Sequence, residues 1–321
     1  MSSTAIMRLL GDMTTQMNRY APLPMLLLGL IGNTLNVYVF TRKALRKNPC
    51  VILFLCSTIA NFFALFVGLL ARVTLGFGSD PTVYNQAICK LKFFVLQSSQ
   101  FMSIWLITLA TVDRYLSSSR NAKVRQYSNQ KGAYRAIMVL VVTTCIIHGR
   151  VFYCSTADVR QVPPCTDHTD ACKTNAVIYL ILGQCLTPVA GMIIFGTLTI
   201  KNTRNRHRQV APTSTATVEV GAAAVATNRQ RDTQLIKMLL LQIFVITVFI
   251  LPVGLSRLSL TVTQAYSTDT VLIAIENFVF QVAVMLTYVT NTVPFYLYTL
   301  SGSVFRKEII QLFLQIRNKI K

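Results

Sequence analysis

Acidic residues are the scarcest charged class in this sequence, 11 Asp and Glu against 31 Lys and Arg. Charge of either sign is thin, 13% of 321 residues, where soluble domains carry about a quarter. A chain that is 53% hydrophobic and so sparsely charged lacks the polar surface of a soluble domain, and its composition is that of a membrane protein. Catalytic signatures are absent too. There is no G-x-S-x-G, no phosphate-binding P-loop and no H-E-x-x-H, and the three histidines, His148, His168 and His207, are scattered, so neither an enzyme nor a cofactor is expected. The Cys165-x6-Cys172 pair around His168 has neither a usual zinc spacing nor a fourth ligand, so no metal is expected.

No N-x-S/T sequon marks an outer face, and the first twenty residues mix polar and apolar types instead of forming a cleavable signal. The first span is therefore expected to double as the insertion signal. What the chain has in excess is positive charge, a formal +20. A basic stripe would suit nucleic acid, because Lys and Arg release counterions from phosphate. Here the cations fall at intervals between apolar runs and no nucleic-acid motif accompanies them, so nucleic acid is excluded as a partner and the charge reads as membrane topology.

Seven runs reach the roughly 20 mostly apolar residues that a bilayer crossing takes, near 22–41, 50–72, 90–115, 134–153, 176–200, 235–257 and 271–300. The expected fold is an all-α membrane protein. An extracellular N-terminus occupies 1–21, a seven-helix transmembrane bundle 22–300, and an amphipathic helix with a short cytoplasmic tail 301–321. An outside N-terminus puts most of the basic residues on the inner side, as the positive-inside rule requires, and the plasma membrane is the expected location. Residues 211–228 are small and low in complexity, which predicts a flexible inner loop over 201–233. After the seventh run, Phe305, Ile309, Ile310, Leu312, Phe313 and Ile316 can share one face of a basic helix lying on the anionic lipids of the inner membrane surface.

Cys50, Cys56, Cys145 and Cys185 fall in or beside spans, where a thiol is usually a small apolar filler. Cys89 opens the third span on the outer side, and Cys154, Cys165 and Cys172 lie in the second outer loop, so a disulfide from Cys89 to that loop is expected.

Seven spans, a Cys at the head of the third and Asp113-Arg114-Tyr115 at its foot, 25 residues on from Cys89, together resemble the rhodopsin-like (class A) G-protein-coupled receptors. Asn33 in "GN", Pro188, Pro252 and Tyr298, seven residues before Phe305, match family positions in spans one, five, six and seven. The resemblance covers essentially residues 22–316 and is divergent, nearest in flavour to invertebrate peptide and orphan receptors. Asn61 replaces the usual sodium-binding Asp of span two, Gly196 replaces a span-five Tyr, span six reads Phe249-Ile250-x-Pro252, and "NTVPFYLY" stands for N-P-x-x-Y.

The resemblance implies a receptor that passes the binding of an extracellular ligand to a heterotrimeric G protein. It implies an activation switch at Asp113, Arg114, Tyr115 and Tyr298, with Asp232, twenty residues before Pro252, closing an inner clasp on Arg114. Either Cys165 or Cys172 could partner Cys89; the 23 residues from Cys165 to Pro188 leave an ordinary approach to span five and favour Cys165, with Cys154 then free to bond Cys172. Leu96 stands where amine receptors carry an Asp, so an amine is not the expected ligand. Arg72, Lys90, Lys92, Arg150 and Arg257, partly balanced by Glu276 and flanked by Gln97 and Gln100, suit a peptide or an acidic molecule instead. The absence of Lys from 271–300 excludes a conventional retinal photoreceptor. A channel or transporter is the alternative, but neither internal repeats nor a path of buried acids is present.

Overall fold

The computed structural model describes residues 2–43, 45–157, 165–209 and 219–320. In chain order, α1 (Ser3–Tyr20) leads through Ala21 into α2 (Pro22–Phe40), followed by α3 (Pro49–Gly76), α4 (Gln86–Ser118), the short α5 (Ala122–Arg125) and α6 (Gln130–Gly149). One turn of helix, α7 (Val151–Cys154), precedes an antiparallel pair of strands, β1 (Ser155–Ala157) and β2 (Cys165–Asp167). Then come α8 (Asp170–Ile178), α9 (Thr187–Gln209), α10 (Glu219–Tyr266), α11 (Thr270–Thr292), α12 (Pro294–Ser301) and α13 (Ser303–Ile320). Seven helical stretches are long and apolar enough to cross a membrane, and they match the seven expected runs one for one.

Helix starts follow local chemistry. Asn48 caps α3 by accepting the Cys50 N–H at 3.0 Å, with Pro49 at the first helical position, where the lost N–H would have no partner anyway. Asn85 caps α4, Asn129 caps α6 and Asp269 caps α11 in the same way. Between α8 and α9 the chain widens into a π turn, Tyr179–Leu186, in which the Thr187 N–H reaches back five residues to the Leu182 carbonyl. The next donor in that register would be residue 188, which is a proline and has no N–H. The Gly183 carbonyl thus freed is taken by the indole of Trp105, Nε1 donating at 3.0 Å, which explains the position of the single Trp.

The main core lies toward one end of the bundle, where Phe40, Phe54, Tyr298 and Phe305 pack ring to ring at centroid distances of 5.5–5.9 Å. Phe305 and Ile309 of α13 are buried there, and Arg42 holds the same helix through Glu308 at 3.1 Å. Ile310, expected on the apolar face, is 57% exposed, because at 100° per residue it points well away from Phe305 and Ile309. Phe313 and Ile316 lie outside the residues whose side chains are described.

Two expectations about chain organisation change. Residues 3–20, expected only as part of an N-terminal segment, form α1, which packs on α3 and α11. Arg19 donates from Nε and Nη2 to the Gly76 carbonyl at the end of α3, at 3.1 and 2.9 Å, and stacks on Phe77. Gly76 is needed at this crossing, since a Cβ there would lie 2.7 Å from the backbone nitrogen of Arg19. The second change concerns 201–233. α9 continues to Gln209 and α10 already begins at Glu219, so much of the expected loop is helical, as befits its alanine-rich "VGAAAVAT" stretch. Residues 210–218 lie outside the described residues.

Candidate functional site

At one end of the bundle two disulfides shape an open cavity. Cys89 at the head of α4 bonds Cys165 on β2, and Cys154 bonds Cys172 on α8, which is the preferred pairing of the sequence reading. The first bond holds β2 over the bundle, and Gln86 fastens β1 by accepting the Ala157 N–H at 2.7 Å. Beneath β2 lies a cavity of about 1000 Å³ whose walls include Gln97, Gln100, Arg150, Asp167, Tyr179 and Arg257. It opens downward into a second space of about 530 Å³, with Gln100, Leu180, Gln184 and Phe280 bordering both. Ile104, Ile250, Val253 and Val284 make the lower walls largely apolar.

Gln97, Gln100 and Arg257 thus line the cavity, whereas Arg72, Lys92 and Glu276 do not. Lys92 is turned toward Asp80 at 3.3 Å and the Thr82 hydroxyl at 2.9 Å, and Asp80 is only 5% exposed. A cation already held by a buried acid is removed from the mouth. Arg72 donates to Asn18 Oδ1 at 2.8 Å and to Gln281 Oε1 at 3.3 Å, beneath α1, so the unforeseen N-terminal helix claims it. Glu276 accepts from the Ser259 hydroxyl at 2.6 Å, linking α10 and α11.

Arg150, Asp167 and Tyr179 complete the wall. Arg150 stacks on Tyr179, donates to Gln97 Oε1 at 3.4 Å and faces Asp167 at 3.9 Å, while Arg257 stacks on Phe280 at 5.2 Å. Asp167 could not be assigned to this wall from the sequence, because its place depends on the strand pairing with β1 and on which disulfide forms.

At the opposite end of α4, Asp113 and Arg114 are both buried, 7% and 3% exposed. Arg114 Nη2 meets Asp113 Oδ2 at 2.7 Å and donates to Asn48 Oδ1 at 3.1 Å, while the Ser128 hydroxyl donates to Asp113 Oδ1 at 2.7 Å. The pair therefore ties α4 to the cap of α3 and to the segment before α6. Desolvating two charges costs several kcal/mol each, and these added hydrogen bonds offset the cost. Tyr115 packs on Phe195 of α9, its ring 5.5 Å away. The Asp232 side chain, the expected clasp partner, lies outside the described residues.

The remaining family-like positions lie within helices or in contacts between them. Asn33 links α2 to α11 by donating to the Asn291 carbonyl at 3.0 Å. Asn61 accepts from Ser103, which also meets Ser57 at 3.3 Å, so a neutral polar triad joins α3 to α4. Pro188 opens α9 and Pro252 interrupts the hydrogen bonding inside α10. Tyr298 is buried in the aromatic core, and its hydroxyl donates to Gln242 of α10, itself 2% exposed. Gln242 was missed by the sequence reading, although a lone amide in the apolar run 235–257 was the available signal. Asn48 was legible only as an Asn-Pro helix start. Among the described residues no cluster of three His, Cys, Asp or Glu is placed to hold a metal.

The profile described as "7 transmembrane receptor (rhodopsin family)" matches residues 32–295. The chain is similar to human chemerin-like receptor 1, 29% identical over 116 residues, which are 36% of this chain and 30% of that receptor. It is similar to human oxoeicosanoid receptor 1, 26% over 184 residues, 56% of this chain and 46% of the relative. Mouse somatostatin receptor type 2 is 30% identical over 118 residues, 37% and 31% of the two chains. The matched stretches thus span less than half the length of each of these curated relatives.

Proposed function

This chain belongs to the rhodopsin family of seven-transmembrane receptors, and from that membership we propose that it carries the binding of an extracellular ligand across the plasma membrane to a heterotrimeric G protein. The observation that carries the reading is α4 itself. One continuous helix bears Gln97 and Gln100 in the wall of the open cavity and the buried Asp113–Arg114 pair at its other end. From Gln100 to Arg114 is 14 residues, about 21 Å at 1.5 Å per residue, so a rigid body connects a ligand chamber to a charged switch.

The orientation in this reading puts the N-terminus and the disulfide-bonded cavity outside, in the oxidising compartment, and α13 inside. The ligand in this reading is a peptide or another acidic molecule: the likeness to receptors named for chemerin and somatostatin speaks for a peptide, and Arg150 and Arg257 in the cavity wall speak for an acid. Signalling releases Arg114 from its resting partners. Asp113 and Asn48 are two of these, and Asp232 of α10 is the third in this reading, so that outward movement of α10 exposes Arg114 to the G protein.

The test is expression in cells with a peptide library and a promiscuous G-protein readout, together with Asp232→Ala. Ligand-driven nucleotide exchange and raised basal output in the variant are expected. Ion flux in place of exchange would instead make the chain a channel.

A further inference from the structure

The charges in the outer cavity do not balance. Of the residues lining it, Arg150 and Arg257 are cationic and Asp167 alone is anionic. Both guanidinium groups sit over aromatic rings of the wall, Arg150 5.8 Å from the Tyr179 centroid and Arg257 5.2 Å from that of Phe280, contacts that use none of their N–H groups. Those N–H groups are undersupplied. Arg150 has a side chain only 16% exposed, yet its contact with Asp167 is 3.9 Å, its bond to Gln97 is 3.4 Å, and its buried Nε has no hydrogen-bond partner. The guanidinium of Arg257 has no hydrogen bond among the described residues.

The neighbouring wall repeats the pattern. The Tyr179 hydroxyl is buried without a partner, and so is Nε2 of His148, a fully buried ring lying 5.0 Å from the Tyr179 ring, with its Nδ1 on the Thr144 carbonyl. Buried donors are ordinarily satisfied, because each one left unmade is costly. Around one corner of the cavity, then, stand donor groups of two arginines and a tyrosine with too few acceptors. Below that corner the space continues between Leu180, Ile250, Val253 and Phe280, where charged side chains are absent from the lining.

We infer that the ligand of this receptor is a carboxylic acid on an apolar stem, its carboxylate bound between Arg150 and Arg257 with the Tyr179 hydroxyl donating, and its stem in the apolar lower space. The inference rests on the receptor reading above and names the chemistry of its ligand. A carboxylate offers about four acceptor sites in one plane and matches the guanidinium fork. Two different molecules carry this chemistry, a long-chain fatty acid and the free C-terminus of a peptide ending in apolar residues. Asp167 has a defined part in the scheme. Tied by the Ser155 hydroxyl at 3.2 Å and by the neighbouring Cys89–Cys165 bond, it stands across from Arg150 and partly neutralises the corner in the empty receptor. It therefore competes with the incoming acid.

The experiment uses the purified full chain in lipid nanodiscs and two matched probe pairs, oleic acid against its methyl ester, and a pool of short peptides with apolar C-termini as free acids against the same pool as C-terminal amides. Binding is read by the shift in thermal unfolding with probe concentration. The expected result is stabilisation by the acid of at least one pair and none by its uncharged counterpart. Arg150→Gln and Arg257→Gln, accepted only if their probe-free unfolding matches the wild type, each weaken the acid roughly 10- to 100-fold. Asp167→Asn tightens it several-fold. Response to oleate alone assigns a lipid acid, and response to the peptide acids alone a peptide C-terminus. Equal binding of acid and neutral partners, no binding by either pair, or a folded arginine variant that binds the acid like the wild type overturns the inference. Nucleotide exchange measured in parallel separates this outcome from failure of the receptor reading. Acid binding without any exchange sinks the receptor and keeps the site, and exchange driven only by neutral or cationic peptides does the reverse.

Discussion

Replacing Gln242 by Leu separates a latch from its packing. Gln242 on α10 and Tyr298 on α12 are joined by one hydrogen bond in a region from which solvent is excluded, with Tyr298 1% and Gln242 2% exposed. Leucine keeps most of the volume and removes the acceptor, leaving the tyrosine hydroxyl buried and unsatisfied at a cost of about 1–3 kcal/mol. If the resting arrangement alone holds α10 against α12 at this point, the whole cost falls on the resting state. The equilibrium then moves toward the signalling state by about 5- to 150-fold, and basal nucleotide exchange on a reconstituted G protein rises by up to that factor. The same loss lowers the unfolding temperature by a few degrees. Tyr298→Phe, which orphans the amide instead, acts in the same direction. The double variant Gln242→Leu/Tyr298→Phe is closer to wild type in stability than the sum of the two, because removing both partners leaves nothing buried and unpaired. A stable Gln242→Leu protein with unchanged basal exchange, or a strictly additive double variant, would refute the latch.

Three further outcomes are expected. Loss of the Cys89–Cys165 bond, which closes 76 residues, destabilises by about 4.5 kcal/mol on the loop-entropy scale, against about 3 kcal/mol for the 18-residue Cys154–Cys172 loop. Thermal unfolding of the two Cys-to-Ser pairs should rank in that order. Trp105→Phe strips the Gly183 carbonyl of the indole donor and costs about 1–3 kcal/mol, measurable as a lower unfolding temperature, whereas substitutions at exposed aromatic positions such as Phe66 leave it within about 0.5 kcal/mol. Asp113→Asn keeps a hydrogen-bonding group beside Ser128 and Arg114 but removes the countercharge, and basal exchange rises. Unchanged exchange in that variant would show that the charge itself does not hold the switch.

The seven crossings could be read from the chain because each is a long apolar run bounded by caps such as Asn48, Asn85 and Asp269, whose meaning is local. The Asp113–Arg114 pair was equally legible, since adjacent opposite charges at the end of an apolar run announce a partnered arginine. What escaped was decided by distant contacts. Lys92 looked like a free cation until the loop carrying Asp80 folded back on it, twelve residues away. Arg72 looked available until α1 covered it, and α1 itself was passed over although Ile6, Leu10, Met13 and Met17 recur at helical spacing behind the Ser2 cap, because the segment is too polar to read as a crossing. Asp167 entered the cavity wall only because β2 pairs with β1, a register three residues long that no sequence pattern specifies.

The docking of α1 divides the labour within the bundle. Arg19 on the Gly76 carbonyl, and Arg72 between Asn18 and Gln281, bind α1 and the adjoining ends of α3 and α11 into one block. The walls opposite, formed by the π turn and the half of α10 beyond Pro252, are held among the described residues by the Trp105–Gly183 and Ser259–Glu276 bonds, with no buried arginine between them. A molecule wedged between Phe280 on the block and Leu180 and Val253 on the other side works like a chisel against an anvil. In the proposed receptor the fixed half would receive the thrust, and the displacement would pass through Pro252 to the half of α10 that carries Gln242.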